Sequence, residues 1–245
     1  MNIVYEDAHT VLIHGDALDA MNDLHDQGIV VSAIVTDPPY SSGGSMRSDR
    51  MQNVVNKYQS STAKRSLPTF EGDHRDQRGY LAWSHLWMSL ARHVTEPGGS
   101  MFSFIDWRQL PVLSDAVQSA GWTWQGVGVW DKGHGRPNKG RFSAGHELIV
   151  HGINGRRIMH ELYAPAVFRQ STPRNKEHLS QKPVEVMEWI MRLVPAGCYI
   201  LDPFAGSGTT LVAARKAKRL AIGVEADEQH LETIIRRCQA ISADA

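Results

Sequence analysis

A glycine-rich turn between two apolar stretches constrains the fold of this chain more than any other feature. The stretch YILDPFAGSGTT (residues 199–210) is an apolar strand that runs into a glycine-rich turn and then into a helix. The next apolar stretch, LAIGVE, ends in Glu225, nineteen residues after Gly206. A strand, a helix and a second strand in this order form a parallel pair with a right-handed crossover. We therefore expect an α/β fold with a doubly wound, mostly parallel sheet and helices on both faces.

The rest of the chain alternates in the same way, which indicates a single domain over residues 1–245. Two polar segments interrupt the alternation. Residues 41–79 are predicted to be a long mobile loop, and residues 132–181 a basic insertion with one strand inside it. The periodicity predicts strands at 11–14, 30–36, 101–105, 122–130 and 147–151, and helices at 17–27, 80–95 (ended by the sequence EPGG), 107–120, 183–194, from 209 and after 225.

The glycine-rich turn is typical of a site for an adenosine-containing cofactor. Glycines let the backbone approach a ligand closely, and Glu225 at the end of the second strand could accept hydrogen bonds from ribose hydroxyls. A dinucleotide site would need a third glycine where this chain has Leu211, and basic residues that the turn lacks. Asp202 would repel a phosphate and suit a cation. S-adenosylmethionine fits this pattern better than a dinucleotide, and the alternative is a tight turn with purely structural glycines.

A second motif, VTDPPY (residues 35–40), closes an apolar strand. Two successive prolines donate no hydrogen bonds and hold the backbone extended, so the chain must leave the sheet here. Asp37 and Tyr40 are therefore displayed at the end of a strand. Ligands of open parallel sheets bind at this edge, which predicts a role for this carboxylate and this ring in the active site.

Together with HLSQKP (residues 178–183), these motifs resemble the beta class of DNA amino-methyltransferases, which methylate the exocyclic amine of adenine or cytosine. The order of the motifs carries the resemblance, since DPPY precedes FAGSGTT and HLSQKP stands just before the helix that leads into the turn. The resemblance implies a Rossmann-like methyltransferase fold, S-adenosylmethionine as the methyl donor, double-stranded DNA as the partner and a target base flipped out of the helix.

The resemblance also implies roles for individual residues. Asp37 and the carbonyl of Pro38 would accept hydrogen bonds from the target amine, and Tyr40 would stack on the base. Asp16 has a competing interpretation as a helix N-cap. The implied catalytic residues are Asp37, Pro38, Pro39 and Tyr40, and the implied cofactor-binding residues are Asp16, Asp37, His178, Lys182, Asp202, Phe204, Gly206, Gly208 and Glu225.

The distribution of charge favours a nucleic-acid partner, although the formal net charge is zero. Residues 41–80 hold seven Lys/Arg against four Asp/Glu, and residues 132–182 hold ten against three. Two basic segments on an acidic body are typical of a protein with one phosphate-binding face. Scattered basic residues in ordinary loops are the alternative. We expect DNA contacts from Lys132, Arg136, Lys139 and Arg141.

Several alternatives remain at this stage. Adenine-N6 methylation is favoured over cytosine-N4 methylation because cytosine-specific relatives more often have serine at the position of Asp37. Methylation of cytosine carbon is disfavoured, since neither cysteine follows a proline. A related enzyme of the NPPY type that methylates protein or RNA is disfavoured by the motif order. A non-catalytic DNA-binding relic of the same fold is a more distant alternative.

The sequence also allows predictions about metal binding, cellular location and protein partners. HELIVH (residues 146–151) is one residue longer than HExxH and lies on a predicted strand, so we expect no metal site. The sequence shows neither a signal peptide nor an apolar run long enough for a membrane span, which predicts a cytoplasmic protein of bacterial or phage origin. A homodimer that shares recognition and a cognate restriction endonuclease are partners that the sequence leaves open.

Overall fold

The computed structural model describes residues 1–40, 75–135, 137, 139–140, 142–158, 161–172 and 181–241. Within them the chain forms nine strands and six helices. The strands are β1 (Ile3–Glu6), β2 (Thr10–His14), β3 (Val31–Thr36), β4 (Thr95–Ile105), β5 (Thr123–Asp131), β6 (His146–Ile153), β7 (Val167–Arg169), β8 (Tyr199–Asp202) and β9 (Leu220–Glu225). The helices are α1 (Ala17–Asp26), α2 (Gln77–His93), α3 (Leu110–Ser119), α4 (Val184–Met191), α5 (Thr209–Lys216) and α6 (Glu228–Gln239).

All nine of these strands belong to one sheet, in the order β1-β2-β9-β8-β3-β4-β6-β5-β7. The pairs β2/β9, β9/β8, β8/β3, β3/β4 and β5/β7 are parallel, whereas β1 and β6 run antiparallel to their neighbours. The sheet is thus mostly parallel, as the sequence predicts. The antiparallel β6 places its first residues at the edge where the parallel strands end, which matters for the active site.

Helices cover both faces of the sheet, because neighbouring residues of a strand point to opposite sides. In β3, Ile34 packs in one buried cluster with α1, α2 and α3, while Ala33 and Val35 pack in another with α4, α5 and α6. Strand β4 divides in the same way, with Met101 in the first cluster and Phe102 in the second. These two cores confirm the doubly wound α/β prediction.

The sequence EPGG does not end a helix, as predicted, but lies inside β4. Helix α2 ends earlier, at His93, and the register between β3 and β4 shifts near these glycines. A Cβ on Gly99 would stand 2.8 Å from the carbonyl oxygen of Ser32, so the two strands approach too closely for a side chain here. Gly98 has a φ of +85° and its N–H donates to the carbonyl of Asn154. The glycines therefore form an irregularity within a strand.

Three further differences concern element boundaries. Strand β1 was not predicted, because it is a four-residue edge strand with mostly exposed side chains. Helix α2 begins at Gln77, inside the segment predicted as a loop, with Asp76 as its N-cap; residues 41–74 lie outside the described part. The basic insertion contains, besides the expected β6, the short edge strand β7.

No helix in the described part of the chain combines the length and the apolar character that a membrane crossing requires.

Candidate active site

The two sequence motifs meet at one edge of the sheet. Strands β3 and β8 are neighbours, and the Thr36 hydroxyl at the end of β3 donates a hydrogen bond of 2.6 Å to Asp202 Oδ1 at the end of β8. The chain segments that follow both strands border a partly open pocket. The residues that line it include Asp37, Lys182, Asp202, Phe204, Gly206 and Thr210.

The two glycines of the turn have different functions in the structure. Gly206 has a φ of +56°, and a Cβ there would meet only the Phe204 carbonyl oxygen, 3.9 Å away. Its N–H donates to Glu225 Oε2 at 2.6 Å, which ties the turn to the end of β9. Gly208 has a φ of +76°, and a Cβ there would stand 2.9 Å from the Ile234 side chain of α6. Gly206 thus exposes backbone to the pocket, whereas Gly208 permits helix packing.

The missing third glycine is compensated on the neighbouring strand. Leu211 lies in the first turn of α5 and packs directly over Gly223 of β9, where an added Cβ would be 2.8 Å from the leucine side chain. Close approach of helix and strand is therefore achieved by a glycine on the strand instead of one on the helix.

Asp202 is a buried carboxylate, with 2% of its surface exposed. Burial raises its pKa to about 6, although hydrogen bonds from Thr210, Thr36 and the backbone N–H of Phe204 act against this rise. A buried acid in this condition gains stability when a cation binds beside it. The pocket therefore suits a ligand with a positively charged group.

Asp37 is held on one side only. Its Oδ2 accepts a hydrogen bond from the Lys182 ammonium, and the Asp37 side chain is 17% exposed. Its Oδ1 is buried and has no hydrogen-bond partner among the residues that the structure describes. A buried carboxylate oxygen without a donor is costly. This oxygen is therefore ready to accept a hydrogen bond from a bound molecule.

Lys182 lies between two acids. Its Nζ is 3.3 Å from Glu147 Oε2, and Glu147 Oε1 is 2.6 Å from the Nζ of Lys132. Burial would lower the pKa of Lys182, but Asp37 and Glu147 outweigh it and the pKa is raised. Burial would raise the pKa of Glu147, but Lys182 and Lys132 outweigh it and the pKa is lowered. Asp37 differs, because burial raises its pKa, Lys182 opposes this and Glu147 adds to it.

Aromatic rings surround this charged group. The Lys182 ammonium is 5.3 Å from the ring centre of Phe104 and 6.0 Å from that of Tyr40. On the other side of the turn, Phe204 packs against Trp83 and Trp87, with ring centres 5.4 and 5.5 Å apart. Trp87 is fully buried, as expected for a core residue. Rings of this kind exclude water and strengthen the electrostatic interactions beside them.

The remaining predicted site residues occupy varied positions. Asp16 caps α1, since its Oδ1 accepts from the N–H groups of Leu18 and Asp19 at 2.8 and 3.4 Å. This confirms the N-cap interpretation, and cofactor contact by Asp16 stays a prediction. Pro38 is buried and Pro39 half-buried beside Asp37. Lys132 pairs with Glu147, and Lys139 is exposed. His178, Arg136 and Arg141 lie outside the described residues.

Sequence reasoning missed Glu147, because the motif HELIVH is weighed there only as a metal-binding pattern, which the spacing of its two histidines disfavours. Glu147 stands near the start of β6, far from the DPPY motif in the sequence, and reaches the site because β6 runs antiparallel to β4. The direction of a strand is not readable from its own residues. An acid at the beginning of an apolar strand would be a useful signal only when that strand is already known to be antiparallel.

A doubly wound sheet with an acid, two prolines and a tyrosine at one strand end, beside a glycine-rich turn and a buried acid at the next, defines a Rossmann-like methyltransferase. The sequence matches the family model described as DNA methylase over residues 31–164 and 154–236. The chain belongs to this family of N6/N4 DNA amino-methyltransferases and has the motif order of its beta class.

Similar proteins span nearly the whole chain. The type II methyltransferase M2.LlaDCHI of Lactococcus lactis subsp. cremoris is 25% identical over 257 residues, which cover 95% of this chain and 90% of that protein. M2.DpnII of Streptococcus pneumoniae is 24% identical, over 96% of this chain and 92% of that protein. A solved structure of an M1.HpyAVI–SAM complex superimposes with a TM-score of 0.68 at 21% identity, covering 93% of this chain and 98% of the other.

The structure of the cytosine-N4-specific PvuII DNA methyltransferase superimposes with a TM-score of 0.74 at 15% identity, covering 99% of this chain and 92% of the other. At such identities these two structural likenesses establish the fold. Nothing in the fold separates adenine from cytosine as the target.

Proposed function

We propose that this protein transfers a methyl group from S-adenosylmethionine to the N6 amine of an adenine that is flipped out of a specific site in duplex DNA. The observation that carries the proposal is the state of Asp37. One of its carboxylate oxygens is held by Lys182, and the other is buried beside the cofactor pocket without a donor in the described part of the protein. An N–H group of a substrate amine would supply that donor.

The pocket fits the proposed cofactor. A positively charged group of S-adenosylmethionine would be stabilised beside Asp202, whose raised pKa reflects the burial of its negative charge. Gly206 offers backbone for close approach, and Glu225 could exchange its bond to the Gly206 N–H for bonds to ribose hydroxyls. The solved structures of M1.HpyAVI and of a Thermus thermophilus modification methylase include complexes with S-adenosylmethionine, and both proteins share this fold. When bound, S-adenosylmethionine supplies a methyl group on a positively charged sulfur.

The chain's own residues would then prepare the amine for attack. The lone pair of an aromatic amine is delocalised into the ring, which makes the nitrogen a poor nucleophile. Asp37 Oδ1 and the carbonyl oxygen of Pro38 would accept hydrogen bonds from its two N–H groups and favour a more pyramidal nitrogen with an available lone pair. The two prolines hold both acceptors at the end of β3. No covalent intermediate with the enzyme is needed.

A base inside a duplex cannot reach this site, so the target must leave the helix at a cost of roughly a few kcal/mol. Tyr40 follows the two prolines and would stack on the extruded base. The Lys182 ammonium near its ring orients this region of the site. Stacking and the bonds to Asp37 and Pro38 would together offset the cost of extrusion.

Adenine is preferred over cytosine because an aspartate stands at position 37, where cytosine-specific members more often have serine. The exocyclic amines of adenine and cytosine have similar geometry, and the cytosine-N4-specific PvuII DNA methyltransferase has the same fold. Identification of the product base is therefore the discriminating measurement.

The first test is methylation of DNA with labelled S-adenosylmethionine, followed by digestion to nucleosides and identification of the modified base. We expect N6-methyladenine from the wild-type protein and a loss of roughly 100-fold or more in rate for Asp37→Asn, since the amide that turns its oxygen to Lys182 presents an N–H donor to the amine in place of an acceptor. Asp37→Ala is the stricter version of the same change.

Binding of S-adenosylmethionine by Asp37→Asn, measured by calorimetry, serves as the folding control. Product N4-methylcytosine would replace the adenine proposal with its alternative. Undiminished transfer by Asp37→Ala would remove Asp37 from the mechanism, and absence of transfer by the wild-type protein on DNA of any sequence would favour the non-catalytic alternative.

A further inference from the structure

Four charged side chains from separate elements form a continuous network of ion pairs in the described part of the site. Asp37 follows β3, Lys182 precedes α4, Glu147 lies in β6 and Lys132 follows β5. The acids and bases alternate, so that each of the two inner residues, Lys182 and Glu147, contacts two partners of opposite charge. This network runs from Asp37, the proposed acceptor of the amine, to Lys132, the first residue of the basic insertion.

Of the two inner members, Lys182 is buried and Glu147 is largely shielded from solvent. The side chain of Lys182 is 5% exposed and that of Glu147 is 14% exposed. Burial of charges is unfavourable unless each charge is paired with good geometry, and removal of one partner leaves the other uncompensated. Lys182 could pair with Asp37 alone if its only function were to neutralise that carboxylate. The presence of Glu147 on its other side therefore requires a separate explanation.

We propose that Glu147 is a positioning residue that holds the Lys182 ammonium on one oxygen of Asp37 and thereby leaves the other oxygen for the target amine. Glu147 Oε2 lies 3.3 Å from the ammonium and attracts it by charge, which disfavours movement of Lys182 from one oxygen of Asp37 to the other. This inference rests on the proposed role of Asp37 and adds a residue that acts through Lys182 without contact to the substrate.

Lys132 completes the arrangement from the side of the DNA-binding segment. Its Nζ lies 2.6 Å from Glu147 Oε1 and 5.1 Å from the ring centre of Trp130. Lys132 therefore holds the second oxygen of Glu147, and its predicted role as a phosphate contact is replaced by a role in the site. Lys139, seven residues further and exposed, keeps the predicted phosphate-binding role and provides a matched control.

The charges that face Asp37 determine what each substitution does to it. Lys182 and Lys132 favour its ionised form, whereas Glu147 and Asp202 disfavour it. Only the ionised carboxylate can accept the amine N–H on Oδ1 while Oδ2 accepts from Lys182, so the rate should fall on the acid side as Asp37 is protonated. Loss of a neighbouring acid moves this acid limb to lower pH, and loss of a neighbouring base moves it to higher pH.

The experiment measures single-turnover methyl transfer from pH 5 to pH 9 at saturating DNA and cofactor. We expect Glu147→Gln to lower the maximal rate about tenfold or more and to move the acid limb down by about one pH unit. Lys182→Met should move the acid limb of the rate profile to higher pH. Glu147→Asp retains the charge and should keep the limb at the wild-type position, with a rate between those of wild type and Glu147→Gln.

A merely structural role for Glu147 would lower the rate equally at every pH, and that result would overturn the inference, as would a wild-type rate in Glu147→Gln. If thermal denaturation shows that Glu147→Gln does not fold, Lys132→Met provides the test. The inference requires the acid limb of Lys132→Met to move to higher pH and that of Lys139→Met to stay at the wild-type pH. Full activity of Asp37→Asn would instead defeat the proposed function, which makes the two failures distinguishable.

Discussion

At the scale of single residues, Asp202 shows how the site opposes the stability of the fold. The carboxylate is buried, and its pKa rises from an ordinary value of 3.8 to about 6. A group whose pKa is higher in the folded than in the unfolded state favours folding only when protonated, so this contribution is lost as the pH rises through 6. Above pH 6 the folded protein carries a buried charge that the unfolded chain would solvate.

Replacement of Asp202 by asparagine should therefore stabilise the protein without cofactor. At pH 8 we expect the free energy of unfolding to rise by up to about 3 kcal/mol, the equivalent of two pKa units. The gain should shrink as the pH falls from 6 towards 4, because the wild-type acid is then protonated. Urea unfolding of both proteins at pH 5 and pH 8 measures this, and equal stabilities at pH 8 would contradict it.

The same substitution should weaken cofactor binding. In the wild-type protein, affinity for S-adenosylmethionine should fall as the pH drops below about 6, since protonated Asp202 no longer attracts a cation. In Asp202→Asn, affinity at pH 8 should be about 10- to 100-fold lower, in line with the loss of a hydrogen bond to a charged group, and should vary little across this range. Calorimetric titration at several pH values provides the comparison, and a pH-dependent affinity in the variant would assign the titration to another group.

The residue scale is also where the sequence was most informative. DPPY and the glycine-rich turn predicted both acids of the pocket, because their chemistry depends on local backbone conformation that Pro and Gly reveal directly. Glu147 was missed because its contribution depends on a contact between distant segments. Lys132 is predicted as a phosphate contact because its sequence neighbours are basic, and the local pattern does not reveal its pairing with an acid fifteen residues further along the chain.

At the scale of elements, the glycine-rich turn is a junction between two helices and a strand. Gly206 faces the pocket, whereas Gly208 lies against α6 and the backbone of both adopts positive φ. Arg237 of α6 donates a hydrogen bond to the Ser207 carbonyl oxygen, which links the same turn to α6. Predictions from the sequence treated the glycines as equivalent, since the packing of α6 on the turn cannot be read from local pattern.

A matched pair of substitutions separates these functions. Gly208→Ala should destabilise the protein by about 2–4 kcal/mol, because it adds backbone strain and a methyl group against Ile234. Gly206→Ala should cost only the strain, about 1 kcal/mol, and should chiefly weaken cofactor binding. Thermal unfolding and calorimetry on both variants test this, and a double-mutant cycle of Gly208→Ala with Ile234→Ala isolates the contact between the two residues. Equal destabilisation by the two single changes would show that packing against α6 is not the difference.

The irregular start of β4 illustrates a limit of pattern reading for elements. The letters EPGG are typical of a helix end, yet here they permit β4 to approach β3 while Asn154 binds the displaced carbonyl of Thr95 at 2.7 Å. Edge strands such as β1 and β7 were missed for a related reason, since exposed short strands carry little apolar periodicity. The central strands and the helices were predicted because burial on one or both faces imposes a pattern.

At the scale of the whole molecule, the uneven charge suggests where DNA binds. A formal net charge of zero conceals a basic insertion on an otherwise acidic chain. Among the described residues of that insertion, Lys132 is engaged with Glu147, whereas the exposed basic residues are Lys139, Arg156, Arg157 and Arg169. The count of basic residues in the sequence therefore overestimates the number available to phosphates.

Salt dependence of DNA binding measures that number. If Lys139 contacts a phosphate, Lys139→Met should reduce the slope of log K against log salt concentration by about 0.9, because one counterion fewer is released. Lys132→Met should leave the slope unchanged. Fluorescence anisotropy with a labelled duplex at several salt concentrations provides both slopes, and a reduced slope for Lys132→Met would restore its assignment as a phosphate contact.

The pairing of β5 with β6 has a consequence for the evolution of sequence specificity. Asp131 is opposite His146, and the N–H of Lys132 donates to the Gly145 carbonyl, so residues 133–144 emerge from a closed hairpin stem. Lys132 and Glu147 belong to the stem and not to the emerging loop. A loop of another length or sequence could therefore stand between them without a change to the Lys132–Glu147 pair, and on the proposal that this segment contacts DNA, the recognised site could change while the chemistry is kept.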